Sequence, residues 1–153
     1  MLLLVLVYLC LPSVSSRHIG ELLCRKCGAH ITNQEELMNI TRPDVKPKYS
    51  YVFPLVGKNT TINVFDNPAG ESFHVAGCKK AHLKYFGQPS SEATWIPGMQ
   101  WTICLCSQCG QHLGWHFQPK DTTISNEEDN FVGVVLDYLI SADYVDTMTK
   151  MPV

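Results

Sequence analysis

Two short stretches of this chain have the residue types and spacing of metal-binding turns. Cys24-Arg25-Lys26-Cys27-Gly28-Ala29-His30-Ile31 and Cys106-Ser107-Gln108-Cys109-Gly110-Gln111-His112-Leu113 share the pattern C-x-x-C-G-x-H-aliphatic. Two residues between cysteines let both thiolates of a tight turn reach one cation. The glycine that follows permits the positive φ that turns backbone N–H groups toward sulfur. Together the turns offer Cys24, Cys27, Cys106 and Cys109 to one tetrahedral Zn²⁺ with Zn–S distances of about 2.3 Å. Four thiolates leave no open coordination position, so this zinc is expected to be structural. It would tie the beginning of the domain to its middle. His30 or His112 could replace a cysteine, but positions on strands just outside the site suit them better. Disulfides are the competing use of paired cysteines in a secreted chain, and the repeated C-x-x-C-G favours metal over them. A thioredoxin-like redox role lacks its βαβ surroundings.

The second turn sits inside a stretch with another kind of chemistry. Thr94 to Phe117, TWIPGMQWTICLCSQCGQHLGWHF, holds all three tryptophans of the chain. Pro97-Gly98 is a turn signal, so Trp95 and Trp101 flank a reversal. From Met99 to Leu105 a strand is expected, with Trp101, Ile103 and Leu105 on one face and Thr102 and Cys104 on the other. From Leu113 to Phe117 the alternation repeats, with Leu113, Trp115 and Phe117 on one side and His112, Gly114 and His116 on the other. Three indoles and a phenyl can therefore converge from two strands and a turn. Such aromatics are ordinarily core, but their clustering around Pro-Gly makes a pocket an equal reading.

The elements that must position these groups are mostly strands. The 153 residues fit one domain with a real core. A net charge of -2 and a pI near 6.3 give no electrostatic case for nucleic acid or an anionic membrane surface. Residues 1–16, MLLLVLVYLCLPSVSS, carry no charge, and their apolar run is too short to span a bilayer. They are expected to be a signal peptide cut after Ser16, taking Cys10 with it. No later stretch is a transmembrane candidate. Asn39-Ile40-Thr41 and Asn59-Thr60-Thr61 are N-glycosylation sequons. With the signal they place the mature chain in the secretory lumen or outside the cell.

Asn33-Gln34-Glu35-Glu36 resembles a capping box, so a short helix to about Asn39 is expected. Residues 41–58, with Pro43, Pro47 and Pro54, read as loop and edge strand. Thr60–Phe65 reads as a strand, Asp66–Gly70 as a turn, and Ser72–Phe86 as one or two further strands. Gln88–Thr94 is polar loop, and Asp121–Asn130 is a solvated acidic loop. Phe131–Ile140, FVGVVLDYLI, is apolar enough to close the sheet. Residues 141–153 read as a loose tail.

From Leu23 to about Leu139 the chain resembles the CULT domain, the ligand-binding domain of cereblon, and in particular the stand-alone secreted proteins of that family. The resemblance rests on the LLCRKCG and CSQCG turns, Asn67-Pro68 with Gly70, and Gly87-Gln88-Pro89-Ser90. It also rests on Trp95-x-Pro97-Gly98, Trp101-Thr102 and His112-x-Gly114-Trp115-x-Phe117. It implies a mainly β fold, a β-tent of two antiparallel sheets pinned by the four-cysteine zinc, over residues 17–140. It puts the family's three-tryptophan cage on Trp95, Trp101 and Trp115, with Phe117 as floor. Its implied ligands are cyclic imides and related rings: glutarimides such as thalidomide, succinimides, uracil-type heterocycles and C-terminal cyclic imides of proteins. Backbone groups at Ala93 and Trp95 would bond the imide, and Asn67 would sit by the mouth.

A ring with two carbonyls and one N–H suits such a site, because indoles can sandwich it while backbone groups read its few polar atoms. Binding without turnover is expected. This sequence departs from the family pattern at Ala93 and Ala69, where cereblon has histidines, and over Ser72–Gly77. The part that attaches cereblon to a cullin ubiquitin ligase has no counterpart here, so no ligase assembly is expected. Cys78 and Cys104 stand at non-cysteine positions of cereblon, and a disulfide between them is expected in an oxidising compartment. Two other readings compete. One is a zinc-braced methionine sulfoxide reductase-like enzyme using Cys104 and Cys78 as nucleophile and resolving residue. The other is an aromatic cage for quaternary ammonium ligands, for which Glu92 is the nearest carboxylate.

Overall fold

A computed structural model describes residues 20–121, 123 and 127–149. The segment expected to be a signal peptide, with Cys10, lies outside the described residues.

Among the described residues, eleven strands build two antiparallel sheets. The small sheet has the order β11-β1-β2, from Leu139–Ser141, Glu21–Cys24 and His30–Asn33. The large sheet has the order β4-β5-β6-β10-β9-β8-β7. Its strands are β4 (Tyr49–Leu55), β5 (Lys58–Asp66), β6 (Ser72–Cys78), β7 (Leu83–Ser90), β8 (Met99–Cys106), β9 (His112–Pro119) and β10 (Phe131–Val135). The two-residue β3 (Leu37–Met38) adds to β6. The β-rich run from Phe131 is divided between the sheets: β10 lies in the large one, a 3-10 turn at Leu136–Tyr138 follows, and β11 joins the small one. The expected two-sheet architecture is the one observed.

Three glycines let the middle of the large sheet close up. Gly133 of β10 lies opposite Gly77 of β6 and Trp115 of β9. A Cβ on Gly114 would fall 1.9 Å from the carbonyl oxygen of Gly133, and one on Gly77 would fall 2.8 Å from that of Met38. No side chain fits either place, so these positions require glycine for close backbone approach rather than for an unusual φ.

The core has three adjoining parts. Under the cysteine turns lie Leu22, Ile31, Leu37, Ile62, Leu113, Val132 and Val134. Phe65, Phe73, Val75 and Val135 form a second group, and Ile96, Met99, Phe117 and Phe131 a third. The tryptophans pack against the last two groups and stay partly exposed.

Several expectations need correction. The capping signal at Asn33 is real, since its side-chain oxygen accepts from the N–H groups of Glu35 and Glu36. It starts only a 3-10 turn, Gln34–Glu36, because Leu37 is drawn into pairing with Cys78. The α-helix lies instead at the other end, α1 (Ala142–Thr149), where a loose tail was expected; Ala142 is buried, and α1 contacts β1 and β11. Strand β7 runs on to Ser90, past the expected start of the polar loop at Gln88. On β8 the alternation is as expected, but the fully buried face is that of Thr102, Cys104 and Cys106. None of the helices among the described residues is long and apolar enough to cross a membrane.

Candidate ligand cage and metal centre

The two cysteine turns are near copies. In each, the glycine N–H donates to the first cysteine's carbonyl, Gly28 to Cys24 at 2.8 Å and Gly110 to Cys106 at 2.9 Å. Each first cysteine in turn donates to a carbonyl past the glycine, Ala29 or Gln111, at 2.8 Å. Gly28 and Gly110 have φ of 76° and 74°, the left-handed region that the pattern called for. The turns face each other. Cys24 Sγ lies 3.7 Å from Cys109 Sγ and Cys27 Sγ 3.6 Å from Cys106 Sγ, and all four sulfurs lie within 4.8 Å of one another. A regular tetrahedron with Zn–S of about 2.3 Å has edges of about 3.8 Å. The four cysteines thus form a single site fit for zinc. At Cys106 burial opposes ionisation, but the backbone N–H groups of Cys109 and Gln108 and the neighbouring thiols outweigh it and bring the thiol down to about 7. Such N–H groups stabilise a thiolate cluster as they would stabilise its zinc complex.

His30 and His112 stand outside this cluster. His30 packs edge-on to His82 at 5.1 Å, whereas His112 Nε2 lies 3.0 Å from the Gly114 carbonyl. The His112 ring meets Trp115 edge-on at 4.7 Å and so braces a wall of the cage described next.

The three tryptophans surround one cavity. Trp95 lies in the loop between β7 and β8, where Pro97-Gly98 reverses the chain and the Met99 N–H returns to the Ile96 carbonyl. Its indole stacks on Phe65 at 4.8 Å and 8°, and its N–H donates to the Asp66 carbonyl at 2.9 Å. Trp115 on β9 meets Trp95 edge-on at 4.8 Å and 78°, and Phe73 at 5.2 Å and 80°. Trp101 on β8 donates its indole N–H to the Glu92 carbonyl at 2.8 Å. Trp101 and Phe117 are cross-strand partners, which puts the wall and the floor on one face of the sheet. Phe117 itself is 2% exposed and stacks on Phe131.

The cavity is about 110 Å³, with walls of Trp95, Trp101, Trp115 and Phe117 and a rim of Asn67, Pro68, Glu92 and Ala93. Its rim segments are tightly held. Asn67 Oδ1 accepts from the Glu71 N–H at 2.9 Å and its Nδ2 donates to Glu71 Oε2 at 3.3 Å, which folds the turn after β5. Ala93 has φ of 48°, one of two non-glycine residues in the left-handed region among the described residues. Asp66, beside the rim, has its carboxyl held below the usual range by the Ser72 hydroxyl, which donates to it, and by Lys48 at 3.1 Å.

Six side chains singled out in the sequence thus meet at one cavity: the three tryptophans, Phe117, Asn67 and Ala93. Sequence reasoning missed the layer behind them. Phe65, Phe73 and His112 support Trp95 and Trp115. The alternating apolar pattern of β5 and β6 was the available signal for the two phenylalanines.

Cys78 and Cys104 are a correction. Both are buried free thiols, donating to the Val132 and Thr102 carbonyls. Cys78 lies opposite Val132, Val132 opposite His116, and His116 opposite Thr102, so two strands separate the pair. Three strand spacings amount to about 14 Å along the sheet, whereas a disulfide needs Cα atoms within about 7 Å. Burial pushes both thiols up to about 12. Both sequon asparagines are exposed, and Asn39 Oδ1 accepts from the Thr61 N–H at 2.9 Å.

Two antiparallel sheets, a four-cysteine site fit for zinc and a three-indole cavity define the class of protein: a small β domain built around an aromatic cage. No family model matches the chain. Among curated proteins, cereblon of Gallus gallus is 32% identical over 109 residues, covering 71% of this chain and 21% of that protein. Cereblon of Xenopus tropicalis is 32% identical over 98 residues, 63% of this chain and 19% of that protein. Cereblon of Drosophila grimshawi is 27% identical over 103 residues, 67% and 13%. The chain is a cereblon-like CULT domain. It spans about a fifth or less of the length of the curated relatives it matches.

Proposed function

We propose that this domain binds cyclic imides and uracil-like rings in the Trp95–Trp101–Trp115 cage and does no chemistry on them. The observation that carries the reading is the cavity itself. At about 110 Å³ it accommodates one small ring, enclosed by indole faces and the Phe117 floor. Because the indole N–H groups of Trp95 and Trp101 are already bonded to Asp66 and Glu92 carbonyls, those walls offer ring faces rather than donors. Polar recognition then falls to the backbone around Ala93, which suits a ligand with a carbonyl–N–H–carbonyl edge. The CULT resemblance supports the same ligand class, either as free molecules or as C-terminal cyclic imides of proteins.

Of the lining side chains only Glu92 is ionisable, and the thiols that a reductase would use are buried with raised pKa values. Both facts support a binding module over an enzyme. We also propose a secretory route, supported by the uncharged segment 1–16 and the exposed sequons at Asn39 and Asn59. On that route, protein from a eukaryotic culture medium begins at Arg17 and loses mass with N-glycosidase; retention inside the cell at unmodified mass would refute it.

Ligand-efficiency limits put the affinity of a bare glutarimide in the micromolar to millimolar range, roughly 4 to 8 kcal/mol. Titrating zinc-loaded protein with glutarimide should quench tryptophan fluorescence saturably, and Trp101→Ala should weaken binding at least about tenfold. A trimethylammonium compound tests the cation-cage reading in the same assay. A response to it and not to the imide would replace the imide assignment.

A further inference from the structure

We propose, on the strength of the imide-cage reading, that the mouth selects by charge: it favours rings whose remainder is cationic or neutral and rejects rings with an anionic neighbour. The cavity is too small for more than the ring itself, so any substituent must leave past the rim. Glu92 is one of the four rim residues. The Glu71 carboxylate is one hydrogen bond from the lining residue Asn67, at 3.3 Å. Neither glutamate forms an ion pair among the described residues, and no cation lines the cavity. Lys48 is committed to Asp66 at 3.1 Å. Glu71 also lies close enough to His112 to act on its charge, so its field reaches the Trp115 wall.

Two glutamates without a cationic partner among the described residues thus lie at or next to the rim. A unit charge leaving the mouth within several ångströms of a carboxylate changes affinity by about twofold per carboxylate in a water-like medium, and the effect fades with salt. The substrate class this selects is a polypeptide ending in a cyclic imide with Lys or Arg just before it, or a nucleoside rather than its phosphate.

The test uses peptides ending in a cyclic glutarimide, with Lys, Gln or Glu as the preceding residue, together with uridine and uridine monophosphate. Each is titrated into the full zinc-loaded protein at low and at high salt. The Lys peptide is expected to bind about tenfold tighter than the Glu peptide at low salt. That ratio should shrink toward one at high salt and in the double variant Glu71→Gln, Glu92→Gln. Uridine should likewise outbind its monophosphate. Equal affinities of the Lys, Gln and Glu peptides at low salt would overturn the charge selection while leaving the cage intact. No binding of the neutral Gln peptide would overturn the imide cage, and the charge selection with it.

Discussion

At Ala93 the backbone takes a conformation that a side chain resists, φ of 48°, within the rim of the cavity. Such a residue costs of order 1 kcal/mol and persists where its surroundings impose it. Here the flanking Glu92 carbonyl anchors the Trp101 indole and Trp95 is tied to Asp66, so the loop between β7 and β8 is fixed from both sides. On the opposite face of β9, His116 is held in an unusual way as well. Its ring stacks on Tyr85 at 4.8 Å, and its buried Nδ1 has no hydrogen-bond partner among the described residues. Burial accordingly lowers its pKa. Burial lowers that of His112 too, offset in part by the Gly114 carbonyl. With folded values below the unfolded value of about 6.5, the unfolded chain binds protons first as pH falls. Stability contributed by the neutral imidazoles is therefore present above about pH 6.5 and is lost as pH drops through that value toward the folded ones. His116→Phe keeps the ring stack and removes the titration. Thermal melts between about pH 7.5 and 6 should show a shallower loss of stability for the variant than for the parent; parallel slopes would contradict the assignment.

Elements were legible in the sequence to the degree that local signals governed them. The paired Cys-x-x-Cys-Gly turns, the Pro97-Gly98 reversal and the alternation on β8 and β9 are local features, and each appears where its residues put it. The capping box at Asn33 is equally local, yet it makes only a 3-10 turn, because strand pairing of Leu37 with Cys78, far along the chain, ends it. The alternation on β8 did not say which of its faces is buried. Trp101, Ile103 and Leu105 are the more apolar set, but an aromatic face that lines a cavity stays partly exposed while Thr102 and Cys104 go inside. Close approach of strands was the least legible feature, since nothing local marks Gly114 and Gly133 as contact points. Their consequences differ. Gly114→Ala would set a methyl 1.9 Å from a backbone oxygen, so β9 and β10 must part, at a cost of about 3 kcal/mol or more. Gly133→Ala would press on Val75 and on the Phe117 ring at 3.2 Å, side chains that can yield, so about 1–3 kcal/mol is expected, with weaker imide binding as the floor shifts. Urea unfolding measures both, and a Gly114→Ala protein of parental stability would refute the close-approach argument.

For the whole molecule, the four-cysteine site is placed to hold the two sheets together. Cys24 closes β1 of the small sheet and Cys106 closes β8 of the large one, so one zinc would join them across 82 residues of chain. Four uncoordinated thiols so near one another are a poor substitute, with Cys27 pushed up to about 12 and Cys106 drawn down to about 7. Stripping zinc with a chelator should lower the melting temperature by more than about 10 °C; an unchanged melt would mean that the metal does not hold the sheets. The cage lies on the large sheet, with walls from two strands and one loop, and its claim on an imide is best tested by observing each wall separately. A ¹H–¹⁵N correlation spectrum of the zinc-loaded protein shows one indole signal for each of Trp95, Trp101 and Trp115. Titrated with glutarimide, all three are expected to shift along one binding curve, because one ring touches every wall. Indole signals that stay fixed at saturating glutarimide, or only one that moves, would contradict a three-tryptophan imide cage.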